Sequence, residues 1–296
     1  MSDHRAASVM RCVLRGVLAL LLALRTVAVE VQTGTPAEEF QVLAREFNAE
    51  GYAFRQATTD EERARVVARA NEITLRLLDL AEKNPRDPVA LDALAQVICQ
   101  EIWMENNTSH PGFGEHSPEV EAIAILLRDH VRSDKLGVAT WRAQYGFRAE
   151  CETFLRTVLE KNPHREVRGL ACLRLAQFLN ARLQRLELLQ QRPEMAERYE
   201  GLFGKEYLGA LEHQDRVTAI RDVEEIFEEA AEEYGDVSLP YGGTVGEKAR
   251  SELFEIRHLS VGKVAPEIEG EDQDGTRFEL SEYRGKVVLL YFWSEY

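Results

Sequence analysis

The sequence contains few cysteines, and their spacing matches no catalytic or metal-binding motif. The 296 residues contain four cysteines, Cys12, Cys99, Cys151 and Cys172. They form no C-x-x-C motif and have no zinc-type spacing, so they indicate neither a dithiol redox site nor a structural metal site. The last three lie within apolar helical patterns, which predicts buried, unreactive thiols. We therefore expect no catalytic, cofactor-binding or metal-binding residue within residues 1–296, and no cofactor.

Long apolar runs are also missing. The longest, Val17–Leu24, has eight residues and is interrupted by Arg25, whereas a membrane-spanning helix needs about 20. Arginines precede this run and small residues follow it, which predicts a Sec-type signal peptide over residues 1–29. A short uncleaved anchor is the alternative, and it is the only membrane association that the sequence predicts. Both interpretations place the protein outside the cytoplasm, in a bacterial periplasm or envelope.

Positive charge is scarce as well. Lys and Arg number 36 against 51 Asp and Glu, giving a formal net charge of −15. Residues 1–29 contribute +3, which leaves −18 for the rest of the chain. Because nucleic-acid binding requires a basic face, this balance argues against nucleic acid as a partner. The content of 45% hydrophobic and 29% charged residues is typical of globular proteins, and the length allows two domains.

Apolar residues at helical spacing fill residues 37–258 and predict a mainly α domain. Asn-Pro pairs end helices at Asn84-Pro85 and at Asn162-Pro163. This repeated motif favours duplicated helical hairpins of a tetratricopeptide- or HEAT-like α-solenoid. The predicted helices begin near Pro36, Thr59, Asp87, Ser117, Thr140, His164, Val217 and Val245, with short helices between Glu194 and Asp215 and one long helix over 140–161.

Two groups of polar residues could in principle bind a cation. His110, Glu115, His116 and Glu119 have metal-ligating side chains, but they fall in a Pro/Gly-containing loop, and a solvated loop is the favoured interpretation. Glutamate pairs recur every four residues over 224–233 and could attract calcium or a basic partner. A solvated face of an amphipathic helix is again favoured.

The C-terminal segment 261–296 has a different pattern. Two short apolar-bearing runs flank Asp274-Gly275, which is a strong signal for a β-hairpin. The pattern predicts a helical turn next, at Ser281–Gly285. The next run, Val287–Trp293, is apolar on both faces, as expected for a core strand buried between two layers of helices.

This segment resembles the thioredoxin-like redoxins of the TlpA/ResA and AhpC/TSA type. That family has a G-x-x-A-P opening, a D-G hairpin, an L-S-x-(Y/L)-x-G-K stretch and a V-V-(L/V)-x-F-W strand. The matching residues are Gly262, Ala265, Pro266, Ile268, Asp274, Gly275, Leu280, Ser281, Tyr283, Gly285, Lys286, Val287, Val288, Leu290, Phe292 and Trp293. The resemblance implies that residues 261–296 are the incomplete start of an α/β thioredoxin-like domain.

In the family, this pattern leads into a W-C-x-x-C active site, whose first cysteine would follow Tyr296. The resemblance thus implies an exported thiol–disulfide oxidoreductase, with protein dithiols or disulfides as partners, represented here by an N-terminal fragment without its catalytic cysteines. A peroxidase of the same family would need such a cysteine as well. The alternative is a non-catalytic helical scaffold or protein-binding module with a vestigial redoxin segment. On either interpretation we expect residues 1–296 to be enzymatically inactive on their own.

Overall fold

A computed structural model describes residues 34–98, 117–203, 205–272 and 274–294. Several sequence predictions lie outside these ranges. They are the targeting segment 1–29 with Cys12, the thiol of Cys99, and the loop residues His110, Glu115 and His116. The C-terminal part of the helix predicted to begin near Asp87 lies outside them too.

The described chain is mainly α-helical, as the sequence predicts. The helices that carry the fold are α1 (Pro36–Gln56), α2 (Asp60–Lys83), α3 (Val89–Ile98), α4 (Pro118–Ile125), α5 (Gly137–Ala143), α6 (Ala149–Lys161), α7 (Arg165–Gln191), α8 (Ala196–Phe203), α9 (Lys205–Glu212), α10 (Arg216–Glu233) and α11 (Val245–Phe254). Short π-helical turns follow α4 and α11, at Leu126–His130 and Glu255–Leu259. Two short strands come after the last of these turns: β1 (Glu269–Glu271) and β2 (Arg277–Glu279).

Helix α7 lies at the centre of the fold. It packs against α5, α6, α10 and α11, while on the N-terminal side α3 packs against α2, α4 and α5. Four phenylalanines are at most 1% exposed: Phe47 of α1, Phe154 of α6, Phe178 of α7 and Phe227 of α10. One continuous apolar core therefore joins helices that lie far apart in the sequence.

Side-chain caps fix where several helices begin. Thr59 caps α2: its hydroxyl accepts a hydrogen bond from the backbone N–H of Glu62, and the Glu62 carboxylate accepts one from the N–H of Thr59. The backbone N–H of Thr58 also donates to Glu62, and these bonds lower the pKa of that carboxyl. Thr244 and Glu247 form the same capping box at α11. Both helix starts agree with the sequence prediction.

The single long helix predicted over 140–161 is wrong. The chain instead forms α5 and α6 with a break over 144–148. Gly146 lies in this break, directly against Cys151, and a Cβ atom at this glycine would fall 2.4 Å from the Cys151 Sγ. The break lets α6 turn back onto α7, a tertiary contact that local helical periodicity does not encode.

The asparagines of the two Asn-Pro pairs make different hydrogen bonds. The Asn84 side chain donates to the carbonyl of Leu80 in its own helix. The buried Asn162 side chain instead donates to the carbonyls of Val131 and Ser133, each at 2.8 Å, and fastens the turn before α5 to the end of α6. The two asparagines thus have different structural roles.

None of the described helices combines the length and the apolar composition that a membrane crossing requires. The glutamate-rich helix α10 buries Phe227 and Ala230 in the core, as its periodicity predicts. On its outer side Glu224 and Glu228 both pair with Arg257. Among the described residues, no group of His, Cys, Asp or Glu is arranged to hold a metal ion.

Candidate functional site

The β-hairpin predicted in the C-terminal segment is present in the structure. β1 and β2 pair antiparallel, with Glu269 opposite Glu279 and Gly270 opposite Phe278. The Phe278 ring lies over Gly270 so closely that a Cβ there would fall 2.9 Å from the ring. A side chain at position 270 would displace the ring, which accounts for glycine at this point.

The turn between the strands is held by Asp272. Its carboxylate accepts hydrogen bonds from the backbone N–H groups of Asp274 and Thr276, each at 2.9 Å. Gly275 adopts a φ of +76°, which a glycine reaches without strain. The hairpin predicted from Asp274-Gly275 is therefore formed, with Gly275 in the left-handed region. The carboxylate that holds the turn is that of Asp272, two residues before the pair.

A second set of bonds ties the end of the hairpin to the residues before it. The Leu280 N–H donates to the Ile268 carbonyl at 2.9 Å. The Glu267 carboxylate accepts from the Ser281 N–H at 2.9 Å, and this bond lowers the Glu267 pKa. A 3₁₀ turn, Leu280–Tyr283, follows where the sequence predicts a helical turn.

The core strand predicted at Val287–Trp293 is not formed in the described structure. Residues 286–294 have no strand pairing, and their side chains are exposed. A strand is stable only when its backbone N–H and C=O groups find partners on a neighbouring strand, and the described residues offer none at this position.

The two described cysteines are buried, as predicted. Cys172 has no exposed surface, its Sγ lies 3.6 Å from the Ile226 carbonyl oxygen, and burial raises its pKa well above the ordinary value. Cys151 is equally buried, with its Sγ 3.2 Å from the Glu119 carboxylate. Neither thiol has the accessible, electropositive surroundings that thiol exchange requires.

Glu119 is the described member of the His/Glu group considered for metal binding. Its predicted solvated position is wrong, because its side chain is only 2% exposed. It lies between Cys151 and Arg148, whose Nε is 3.6 Å from its carboxylate. The group joins the start of α4 to the start of α6, so it has a packing role. Cys151 is 32 positions from Glu119, and the sequence therefore does not indicate that the two meet.

A second polar group that the sequence does not indicate surrounds Arg174 on α7. This buried guanidinium donates to the side-chain oxygens of Gln177 at 2.8 Å and Gln144 at 3.3 Å. Gln177 in turn donates to Glu252 on α11 at 3.2 Å. Burial lowers the pKa of Arg174. The group links α7 and α11 to Gln144, the residue that follows α5, through charge-assisted hydrogen bonds.

We expect the two buried cysteines to resist a thiol reagent in the native protein. In a Cys12→Ser/Cys99→Ser variant, reaction with Ellman's reagent at pH 8 should be at least roughly 100-fold slower than reaction of an exposed thiol, because the thiolate is the reactive form and burial disfavours it. Val217→Cys in the same background supplies that exposed thiol on α10. Both native thiols should react once the protein is unfolded in guanidinium, and a rapid native phase would contradict their burial.

Three comparisons with known proteins gave a single match. No curated protein and no solved structure matches the chain. The model of the AhpC/TSA family matches residues 261–296, the stretch that contains the hairpin and the apolar run. The fold class predicted from the sequence is thus supported, as a mainly α chain followed by the start of a thioredoxin-like fold. Residues 261–296, at the C-terminal end of the chain, are therefore similar to the AhpC/TSA family, which is consistent with a thioredoxin-like redoxin segment.

Proposed function

We propose that this protein is an exported thioredoxin-like thiol–disulfide oxidoreductase. Residues 37–258 form its helical domain, and residues 261–296 form the opening of its redoxin domain. The AhpC/TSA match over 261–296 carries this proposal. The local geometry supports it, because the Asp-Gly turn and the 3₁₀ turn are already in place there.

The proposal assigns the redox-active cysteines to sequence after Tyr296. Thiol exchange needs a cysteine with a lowered pKa at a helix N-terminus and a second thiol to resolve the mixed disulfide. Cys151 and Cys172 have the opposite surroundings, since both are buried and burial raises the pKa of Cys172. Residues 1–296 are thus proposed to be the non-catalytic part of the enzyme.

The proposed site of action is a periplasm or cell envelope. The support is the sequence pattern of residues 1–29, where a basic start precedes an apolar run too short to span a membrane. Exported proteins are the class in which disulfides form and persist, so protein dithiols and disulfides are the proposed partners. The acidic charge of the chain makes nucleic acid an unsuitable partner.

The nucleotide sequence after the Tyr296 codon gives the most direct test. We expect it to encode Cys-x-x-Cys within a few codons, in the same or another frame, followed by the rest of a thioredoxin-like domain. A polypeptide joined to that sequence should then catalyse thiol exchange. If all three forward frames lack such a sequence, the oxidoreductase proposal fails and a non-catalytic helical scaffold takes its place.

Residues 1–296 alone are expected to show no disulfide reductase activity. The measurement is insulin reduction by dithiothreitol, compared with and without the protein, because a dithiol catalyst accelerates the precipitation of insulin chains. The expected rate equals that of dithiothreitol alone, since the described thiols are buried. An acceleration that disappears in a Cys-to-Ser variant would show that one of these cysteines is redox-active after all.

A further inference from the structure

A π-helical turn, Glu255–Leu259, connects α11 to the chain that leads into the C-terminal hairpin. It continues α11 without a break, since Phe254 and Glu255 both keep α-helical backbone angles. The chain then becomes extended at Ser260, where ψ is 151°. π-helical turns are rare because their hydrogen-bond pattern is less favourable than that of an α-helix, so such a turn depends on tertiary contacts.

Arg257, in the middle of this turn, makes a tertiary contact with α10. Its Nε and Nη2 donate to one oxygen of Glu224 at 3.1 and 3.0 Å, and Nη2 also donates to Glu228. The two glutamates are four residues apart and so lie on one face of α10, where their charges repel each other. One guanidinium therefore compensates two carboxylates and fastens the turn to the neighbouring helix.

The other contacts of the turn are fewer. Ile256 is partly buried against the core, whereas His258 and Leu259 are exposed. The Ser260 hydroxyl donates to the Ile256 carbonyl at 2.9 Å, which is a bond within the turn itself. Among the described residues, the hydrogen bonds of Arg257 are the ones that connect this turn to another helix.

We propose that Arg257, Glu224 and Glu228 form a salt-sensitive latch, which holds the π-helical turn and sets the direction in which the chain leaves the helical domain. When the latch opens, the turn relaxes to α-helical hydrogen bonding. The chain after it then rotates by about the share of one residue in a helical turn, roughly 100°. A role in orienting the redoxin domain rests on the proposed function, because that domain would follow the turn.

Ionic strength is the condition that opens this latch. The side chains of Arg257, Glu224 and Glu228 are 38%, 28% and 46% exposed, so salt screens their attraction. The apolar contacts of α11 with the core are not weakened in the same way, because salt does not screen them. Salt thus acts on the turn and leaves α11 in place.

Hydrogen exchange of the backbone amides of residues 255–260, measured by mass spectrometry on the chain 1–296, tests the latch. At low salt, Arg257→Gln should exchange there at least about threefold faster than the parent, as expected for the loss of a small ion-pair network. Raising NaCl to about 1 M should accelerate exchange in the parent to a similar extent and leave the variant unchanged. Glu224→Gln/Glu228→Gln should match Arg257→Gln, and combining all three changes should add nothing, because both variants remove one contact.

Spin labels test the change in direction. Val217→Cys on α10 and Val261→Cys just after the turn both replace exposed valines, and the Cys12→Ser/Cys99→Ser background leaves only the two buried native thiols. The distance distribution between the labels should shift or broaden when Arg257→Gln is added.

Arg250→Gln is the matched control, since it makes the same change at an exposed arginine of α11 and should exchange like the parent. The proposal is overturned if Arg257→Gln exchanges at the rate of the parent, if the effects of the variants add, or if the label distances stay the same. Equal loss of protection over residues 245–253 would also overturn it, because α11 as a whole would then be opening. None of these results bears on the oxidoreductase proposal, which depends on the sequence after Tyr296.

Discussion

Replacement of Phe227 by alanine is expected to lower the free energy of unfolding by about 3–5 kcal/mol. Phe227 has no exposed surface and lies in the middle of α10, which packs against both α7 and α11. Removing the ring leaves a cavity where three helices meet, and rigid helix backbones close such a cavity only in part. Urea unfolding followed by circular dichroism at 222 nm measures the loss.

The matched control is Phe254→Ala on α11, which removes the same atoms from a side chain that is 49% exposed. We expect it to cost less than about 1 kcal/mol, since much of that ring remains in water in the folded state. Equal losses at the two positions would contradict the burial of Phe227 between the helices. A small loss at Phe227 alone would show that the helices around it close the cavity.

The helices could be predicted because their signals are local. The capping pair Thr59 and Glu62 lies within four residues, and the apolar periodicity of α10 is complete within one element. The Asp-Gly turn is equally local, since Asp272 binds the turn that it belongs to. Such features depend on backbone geometry and near neighbours, so the sequence is enough to infer them.

The errors arose where distant parts of the chain meet. The break between α5 and α6 accompanies the packing of both helices against α7. The burial of Glu119 depends on Cys151 and Arg148, about 30 residues away. The strand expected at Val287–Trp293 needs a neighbouring strand that no local pattern provides. Periodicity describes the face that a segment buries, but it does not identify the partner.

The C-terminal segment and the helical part of the chain differ in chemical character. The family pattern of residues 261–296 indicates a redoxin segment, and the hairpin geometry agrees with it. The buried thiols of the helical domain have the opposite character to redox-active cysteines. These observations agree with the proposal that thiol chemistry belongs to the redoxin side and not to the described cysteines.

Replacement of Gly246 by alanine is expected to destabilise the protein by about 1–3 kcal/mol, although alanine is the better helix former. Gly246 lies in the first turn of α11, where its N–H donates to the Gly235 carbonyl at 3.2 Å. A Cβ at position 246 would fall 2.7 Å from the Gly235 Cα and 2.9 Å from its carbonyl oxygen. Both atoms belong to the backbone, so the contact can be relieved only by moving α11 away from the end of α10.

Gly209→Ala is the control, because it makes the same change within helix α9 at a glycine whose added Cβ would have no atom within 4 Å. It should stabilise the protein by about 0.5–1 kcal/mol, since alanine loses less backbone entropy than glycine in a helix. The two variants should therefore shift the urea midpoint in opposite directions. Shifts of the same sign would contradict the close approach of α10 and α11, because helix propensity is common to both sites and only the contact with Gly235 differs.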